Sequence, residues 1–179
     1  MGSQIIKQPS GKYAVWSSIV DSFIWYDGTR EEIKNAYVYD GHGGSKEDIE
    51  QHVDKVINAL DEGGKPYYQF TQSWDEALAW MFCVNRSSSC DSDLMGFIRN
   101  YKSISPVDVE CVINPESEFW KHVAAFYRDS RSDLFTYKHP EDLERETKWV
   151  DGEMDRKNET IKMVKELMVE RQKEVGVNG

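Results

Sequence analysis

The residues best suited to chemistry form one short string, Asp40-Gly41-His42-Gly43-Gly44, which follows the apolar stretch 36–39. A carboxylate beside glycine carbonyls offers the oxygen ligands that hard divalent cations prefer. A cation held there would activate a water molecule for hydrolysis. The string therefore makes Asp40 a candidate metal ligand. It also has a simpler interpretation, as a glycine-rich turn that leads into the next helix.

The string DGHGG resembles a metal-binding motif of the metal-dependent protein phosphatases, in which the aspartate and the first glycine carbonyl hold a pair of metal ions. A later stretch, Asp151-Gly152 with Asp155, is similar to a second metal motif of that family. The resemblance implies a small divalent-metal-dependent hydrolase or phosphatase that uses Asp40. It is confined to these residues, because the family's upstream Glu-Asp motif and its central and terminal motifs have no counterpart in the chain.

Other motifs for catalysis or metal binding are absent from the sequence. The histidines show no HxH or HExxH spacing and the cysteines form no CxxC pair, so a zinc site is not indicated. The chain also lacks a P-loop, a GxGxxG string and a GxSxG string. We therefore expect no cofactor, and the sequence favours a protein that is not an enzyme. The residues concerned are His42, His52, His122, His139, Cys83, Cys90 and Cys111.

The chain is acidic, with a formal net charge of −10, and the segment from Asp27 to Glu62 holds ten acidic and four basic residues. A negative field repels nucleic-acid phosphates and anionic lipids, so we expect neither direct nucleic-acid binding nor membrane binding. It suits a basic protein partner, although a solubilising surface is the simpler interpretation. The predicted binding face combines acids with two aromatic anchors: Glu31, Glu32, Asp40, Glu47, Asp48, Glu50, Asp54, Tyr37 and Tyr39.

Three functional hypotheses follow from these patterns. The leading one is a non-enzymatic protein-binding module that engages the basic, nucleic-acid-binding surface of a host protein. An inhibitor or host-defence antagonist of the kind that bacteriophages and mobile elements encode would suit the size and the acidity. The second hypothesis is the metal-dependent hydrolase that uses Asp40. The third is a structural or assembly protein that forms homo-oligomers through its C-terminal helix.

The sequence predicts a cytoplasmic protein. No stretch approaches the eighteen or so apolar residues that span a bilayer. Residues 1–11 lack the apolar core of a secretory signal. An odd number of cysteines without paired spacing favours reduced thiols.

Hydrophobic periodicity predicts amphipathic helices at 46–61, 74–84 and 115–128, and shorter helices at 30–35 and 94–101. Ser45 is expected to cap the first of the three, whose apolar stripe comprises Ile49, Val53, Val56, Ile57 and Leu60. Strands are predicted where β-branched and aromatic residues cluster or alternate with polar ones. They comprise 13–20 with 23–26, as one or two strands, and 67–71, 107–113 and 134–137. The stretch 36–39 is either a strand or an apolar loop that docks on the core.

These elements predict an α+β fold, with a small, mostly antiparallel or mixed sheet packed by the three amphipathic helices. We expect a loose lead-in at 1–11, a core domain at 12–138 and a charged helical extension at 139–179. The extension is one or two helices, interrupted or kinked near Asp151-Gly152. A narrow apolar stripe on the extension either packs on the domain or pairs with another chain. Its residues are Ile161, Val164 and Met168.

Overall fold

Three strands open the chain and helices follow them, which confirms the predicted α+β class and the helical C-terminal segment. The structure is a computed structural model, and it describes residues 2–39, 44–67, 71–84, 94–100, 104–134 and 140–177. The strands are β1 (Ser3–Lys7), β2 (Tyr13–Ser17) and β3 (Ser22–Gly28). The helices are α1 (Arg30–Tyr39), α2 (Lys46–Asp61), α3 (Trp74–Val84), α4 (Leu94–Asn100), α5 (Pro106–Ile113), α6 (Glu118–Leu134) and α7 (Pro140–Val177).

The chain divides into two compact units, Met1–Ala77 and Leu78–Gly179, which we call the N-terminal and the C-terminal unit. The predicted core domain at 12–138 is a region expected to fold by itself, and its limits stay a prediction. None of the helices in the described part of the chain is long and apolar enough to cross a membrane.

The sheet of the N-terminal unit is antiparallel in the order β1-β2-β3. The prediction of a loose lead-in at 1–11 is wrong for Ser3–Lys7, because Ile5 and Ile6 are both buried and β1 pairs along the whole of β2. Between β2 and β3 the pairing is irregular: Val15 lies opposite Trp25 and Trp16 opposite Phe23, so Ile24 is an extra residue. Such a bulge bends the strand that carries it.

One face of the sheet is covered by α1 and α2. The predicted stripe of α2 is confirmed, since Ile49, Val53, Val56 and Ile57 are buried and Leu60 is partly buried. They pack with Ile33 and Tyr37 of α1 and with Ile5, Tyr13 and Val15 of the sheet. Trp16 on β2 contacts Phe23 edge-on, with ring centroids 5.2 Å apart, and Phe23 stacks on Trp74 at 4.8 Å.

Helix α1 is longer than predicted. The sequence indicates a helix at 30–35 followed by a strand or an apolar loop at 36–39, but α1 runs through to Tyr39. Its buried residues are Ile33 and Tyr37, which are four positions apart and therefore share one face of the helix. The apolar stretch 36–39 is thus the last turn of a helix that packs on the sheet.

The predicted strand at 107–113 is also wrong, because these residues form α5. Alternation predicts that Val107 and Cys111 point inward, but Val107 is exposed and the buried residues are Asp108, Val109 and Val112. Ser105 and Pro106 supply the favoured start of a helix, with proline at the first helical position. Asn114-Pro115 is a similar start signal and predicts a helix at 115–128, but α6 begins at Glu118, after a turn.

Two more predicted strands are only partly covered by the structure. Residues 68–70 of the strand at 67–71 and residues 135–137 of the strand at 134–137 lie outside the described residues. Their described neighbours are not in strands: Tyr67 and Thr71 are irregular, and Leu134 belongs to α6. By contrast, α3 and α4 are confirmed to within one residue of their predicted limits.

The C-terminal unit is helical, and α7 packs on α4, α5 and α6. An interruption near Gly152 is wrong, since α7 continues through it, and the alternative of a kink stays a prediction. Inside the unit, Phe82, Phe119 and Trp120 form edge-to-face pairs, and the Trp120 indole donates to the Val112 carbonyl at 3.0 Å. These contacts join α3, α5 and α6.

The apolar stripe of α7 is buried inside the unit. Ile161, Val164 and Met168 are at most 8% exposed, and the Arg171 guanidinium donates to the carbonyls of Ile98 and Arg99 at the end of α4. These bonds satisfy acceptors that a helix end leaves free. An assembly through the same three side chains would require α7 to leave its unit. Homo-oligomerisation through this helix stays a prediction.

Two substitutions on α7 test this packing. Val164→Ala should lower the free energy of unfolding by about 2 kcal/mol, because Val164 is fully buried and its loss leaves a cavity. Val169→Ala is the matched control, since Val169 is 49% exposed and the change in helix propensity is the same; it should alter stability by less than about 0.5 kcal/mol. Thermal unfolding measures both. Equal losses would contradict the burial of the stripe.

Candidate protein-binding surface

The acidic segment folds into α1 and α2, and one face of α2 carries most of the carboxylates of that helix. Glu47, Glu50, Asp54 and Asp61 follow one another at steps of three, four and seven residues, which is the spacing of one helical face. That face flanks the buried stripe of α2, so that Asp61 still reaches the sheet, and it is the face toward which Arg30 reaches. It is defined here as the acidic face, with Glu62 directly after the helix.

Asp61 lies at the centre of a cluster that joins four elements. Lys7 Nζ of β1 lies 2.7 Å from one carboxylate oxygen, and the Tyr13 hydroxyl of β2 donates to both oxygens at 2.8 and 3.0 Å. Arg30 Nη2 of α1 lies 3.3 Å from the other oxygen. The hydrogen bonds from Lys7 and then Tyr13 hold the pKa of Asp61 below its ordinary value. This carboxylate is therefore already neutralised within the unit.

Two of the predicted binding residues, Glu31 and Asp54, are also paired. Arg30 Nη1 lies 3.3 Å from Asp54, and Lys34 Nζ lies 2.7 Å from Glu31 and 3.5 Å from Asp54. The hydrogen bond to Glu31 is the main cause that raises the pKa of Lys34. Exposed ion pairs add little stability, but these cancel negative charge in the middle of the acidic face.

Two further predicted residues, Glu32 and Asp48, cap helices. The backbone N–H and the hydroxyl of Thr29 both donate to Glu32 at 2.8 Å, and the backbone bond is the main cause that lowers the pKa of Glu32. Ser45 caps α2 as predicted, and with Asp48 it forms a capping box. Carboxylates in these positions accept hydrogen bonds from free N–H groups and interact favourably with the positive end of the helix dipole. Substituting them would disturb helix starts as well as any binding.

The remaining predicted acids are Glu47, which is exposed, and Glu50, which is half-buried and pairs weakly with Lys46 at 3.7 Å. Glu47 at the start of α2 and Glu62 directly after its end are exposed and form no ion pair with any described residue. Sequence reasoning left Glu62 out of the binding face. Glu62 is the last residue of the acidic segment and directly follows α2, and this position could have suggested it.

The two predicted aromatic anchors have opposite environments. Tyr39 is 91% exposed at the last residue of α1, as an anchor requires. Tyr37 is 7% exposed and belongs to the core, so its assignment to the binding face is corrected. The reason is helical geometry: Tyr37 shares the buried face of α1 with Ile33, and Tyr39 is rotated away from it.

The predicted metal ligand Asp40, with residues 41–43, lies outside the described residues. Elsewhere in the described ranges, no group of three or more His, Cys, Asp or Glu residues is placed to hold a metal ion. Asp151, Gly152 and Asp155, the second string that resembles the phosphatases, lie within the continuous helix α7. Metal binding by Asp40 stays a prediction.

Sequence reasoning missed a group of exposed apolar residues on the β2–β3 hairpin. Ile19 and Val20 lie in the turn and are 80% and 54% exposed; Ile24 and Trp25 lie on β3 and are 50% and 41% exposed. Their composition predicted strands, and it carried no signal for exposure, because exposure depends on which parts of the hairpin other elements cover.

Comparison of the chain with models of protein families, with curated proteins and with solved structures finds no match.

The Asp61 cluster gives a pH-dependent contribution to stability. The pKa of Asp61 is lower in the folded chain than its ordinary value of 3.8, so the contribution is present above that pH and is lost as the pH falls through the folded value. Asp61→Asn should lower the free energy of unfolding near neutral pH by about 1 kcal/mol, a modest loss because the cluster is partly exposed. Urea unfolding across a pH series measures this difference.

In that series the curves of the native chain and of Asp61→Asn should converge as the solution becomes acidic. Glu62→Gln is the control, because Glu62 lies next to Asp61, is exposed and should leave stability unchanged. Curves that stay parallel down to the lowest pH would contradict the assigned role of the Asp61 carboxylate.

Proposed function

We propose that this protein is a non-enzymatic binding module whose acidic N-terminal unit engages a basic surface of a partner protein. The observation that carries the proposal is the acidic face of α2, on which carboxylates recur at helical spacing while the apolar residues face the sheet. Charge of one sign on one face steers an oppositely charged partner and speeds its association.

The acidic face is held in a fixed geometry, which supports the proposal. Arg30 bonds to Asp54, Asn58 and Asp61, so that α1 is fastened to α2 along about two turns. Lys34 adds a second link to Asp54. A preorganised surface loses little conformational entropy when it binds, and binding is correspondingly tighter.

More specifically, we propose that the protein is an inhibitor. A row of carboxylates along a helix offers a basic groove the same sign of charge as a nucleic-acid backbone. A nucleic-acid-binding host enzyme is therefore the proposed target, and a bacteriophage or mobile element is the proposed source. The carboxylates of Glu47 and Glu62 and the weakly paired carboxylate of Glu50 would take the places of phosphates, and Tyr39 would supply an aromatic anchor.

Charge reversal tests the proposal at these three acids. The variant Glu47→Lys, Glu50→Lys, Glu62→Lys should bind a synthetic arginine- and lysine-rich peptide at least about tenfold more weakly than the native chain. Binding by the native chain should also weaken steeply as salt rises. Fluorescence anisotropy of the labelled peptide measures both effects. Asp48 is left unchanged, because its capping box stabilises the start of α2.

The control variant carries the same change of net charge in the C-terminal unit. Glu159→Lys, Glu166→Lys, Glu170→Lys alters three exposed positions of α7, and affinity should fall by less than about twofold. Equal weakening by the two variants would show that only net charge matters and would contradict the assignment to the acidic face. An affinity that does not depend on salt concentration would contradict the proposal.

A further inference from the structure

The apolar stripe of α7 is bordered by a basic residue at each end. Lys157 precedes the stripe residues Ile161, Val164 and Met168, and Arg171 follows them. The steps from Lys157 to Arg171 are four, three, four and three residues, so the five side chains lie on one face of the helix. The two basic residues therefore continue the face that packs on α4, α5 and α6.

Both basic side chains bond to backbone carbonyls of the C-terminal unit. Lys157 Nζ donates to the Pro115 carbonyl at 2.7 Å, just before α6, and lies 5.3 Å from the centre of the Trp120 ring. At the other end, the Arg171 guanidinium donates to two carbonyls at the end of α4. Each charge is therefore hydrogen-bonded when α7 docks as observed.

Val164 occupies the centre of this arrangement. It is seven residues from both Lys157 and Arg171, and its side chain has no measurable exposure. Seven residues are close to two full turns, so the three side chains lie nearly in line along the helix. If α7 moved along its axis by seven residues, about 10 Å, Lys157 or Arg171 would take the buried place of Val164. A charge buried there without a partner would be strongly unfavourable.

The other positions of the stripe would accept such a shift. Met154 lies seven residues before Ile161, and Val175 lies seven residues after Met168. A shift in one direction would put Met154 and Ile161 in the places of Ile161 and Met168, and the opposite shift would put Met168 and Val175 there. Within the stripe, each shifted position therefore has a single defect, which is the charge that replaces Val164.

We propose that Lys157 and Arg171 form a register lock, which admits only one position of α7 along its own axis. Each residue blocks one of the two shifts, and both reach their carbonyl acceptors only in the observed position. A polar residue in an apolar helix seam fixes the register of coiled coils in the same way. The lock lies in the C-terminal unit and does not depend on the proposed function of the acidic face.

Replacing both charges in the full-length chain tests the lock. The variant Lys157→Leu, Arg171→Leu makes the whole stripe apolar, so shifted positions of α7 should be populated beside the observed one. Nuclear magnetic resonance of isotopically labelled isoleucine methyl groups reports the surroundings of Ile161. The native chain should give one resonance for the Ile161 methyl and the variant at least two, because a shift replaces the neighbours of this methyl group.

Two further variants are matched controls. Lys165→Leu, Lys173→Leu removes the same charge from exposed positions of α7 outside the stripe, and it should keep one Ile161 resonance. Lys157→Arg, Arg171→Lys keeps a positive charge at both ends of the stripe and should also keep one resonance. If circular dichroism shows that the double leucine variant does not fold, Lys157→Leu and Arg171→Leu are measured singly. Each of them frees one shift and should add one resonance.

The outcomes decide between the lock and other causes. A second resonance that is confined to the leucine variants of the stripe and independent of protein concentration supports the lock. One Ile161 resonance in every folded leucine variant would overturn it, since the chain connection before α7 would then fix the register. Splitting in the Lys165, Lys173 control would assign the effect to net charge and overturn it as well. A second resonance whose share rises with protein concentration would report pairing between copies, which also overturns the lock.

Discussion

Three short strands cannot remain paired in water unless an apolar face is covered, and the N-terminal unit depends on that constraint. Helices α1 and α2 cover the sheet through Ile33, Val53 and Ile57, none of which has measurable exposure. The same packing turns the opposite side of α2 to solvent and brings Arg30 within reach of Asp54 and Asp61. The acidic face is thus a consequence of how the sheet is covered.

The acidic residues of this unit divide into three structural roles. Glu32 and Asp48 cap helix starts, Asp54 and Asp61 neutralise basic residues of α1 and β1, and Glu47 and Glu62 carry exposed charge. Net charge therefore overstates the charge available to a partner. A capping carboxylate stabilises the start of its own helix through bonds within one turn. Such a carboxylate therefore has a structural role and does not point to a binding function.

Features set by neighbours in sequence were predictable, whereas features set by distant residues were not. The limits of α2 and its capping box follow from Ser45, from a long periodic stripe and from the glycines after it. For 107–113, the alternation of apolar and polar residues indicates a strand, but the residues form a helix that begins at Pro106, and it buries Asp108, Val109 and Val112. Burial of Tyr37 and exposure of Trp25 depend on which helix face meets the sheet and on strand order, and neither can be read from local composition.

The place of α7 in the chain bears on the order in which the protein can fold during synthesis. The sheet, α1 and α2 find their packing partners within the first 77 residues, so that core can close while the ribosome is still producing the rest. The stripe of Ile161, Val164 and Met168 completes the C-terminal unit only after α4, α5 and α6 have emerged. Until then the apolar surfaces of those helices stay uncovered on the nascent chain, and chaperones would have their longest opportunity to bind there.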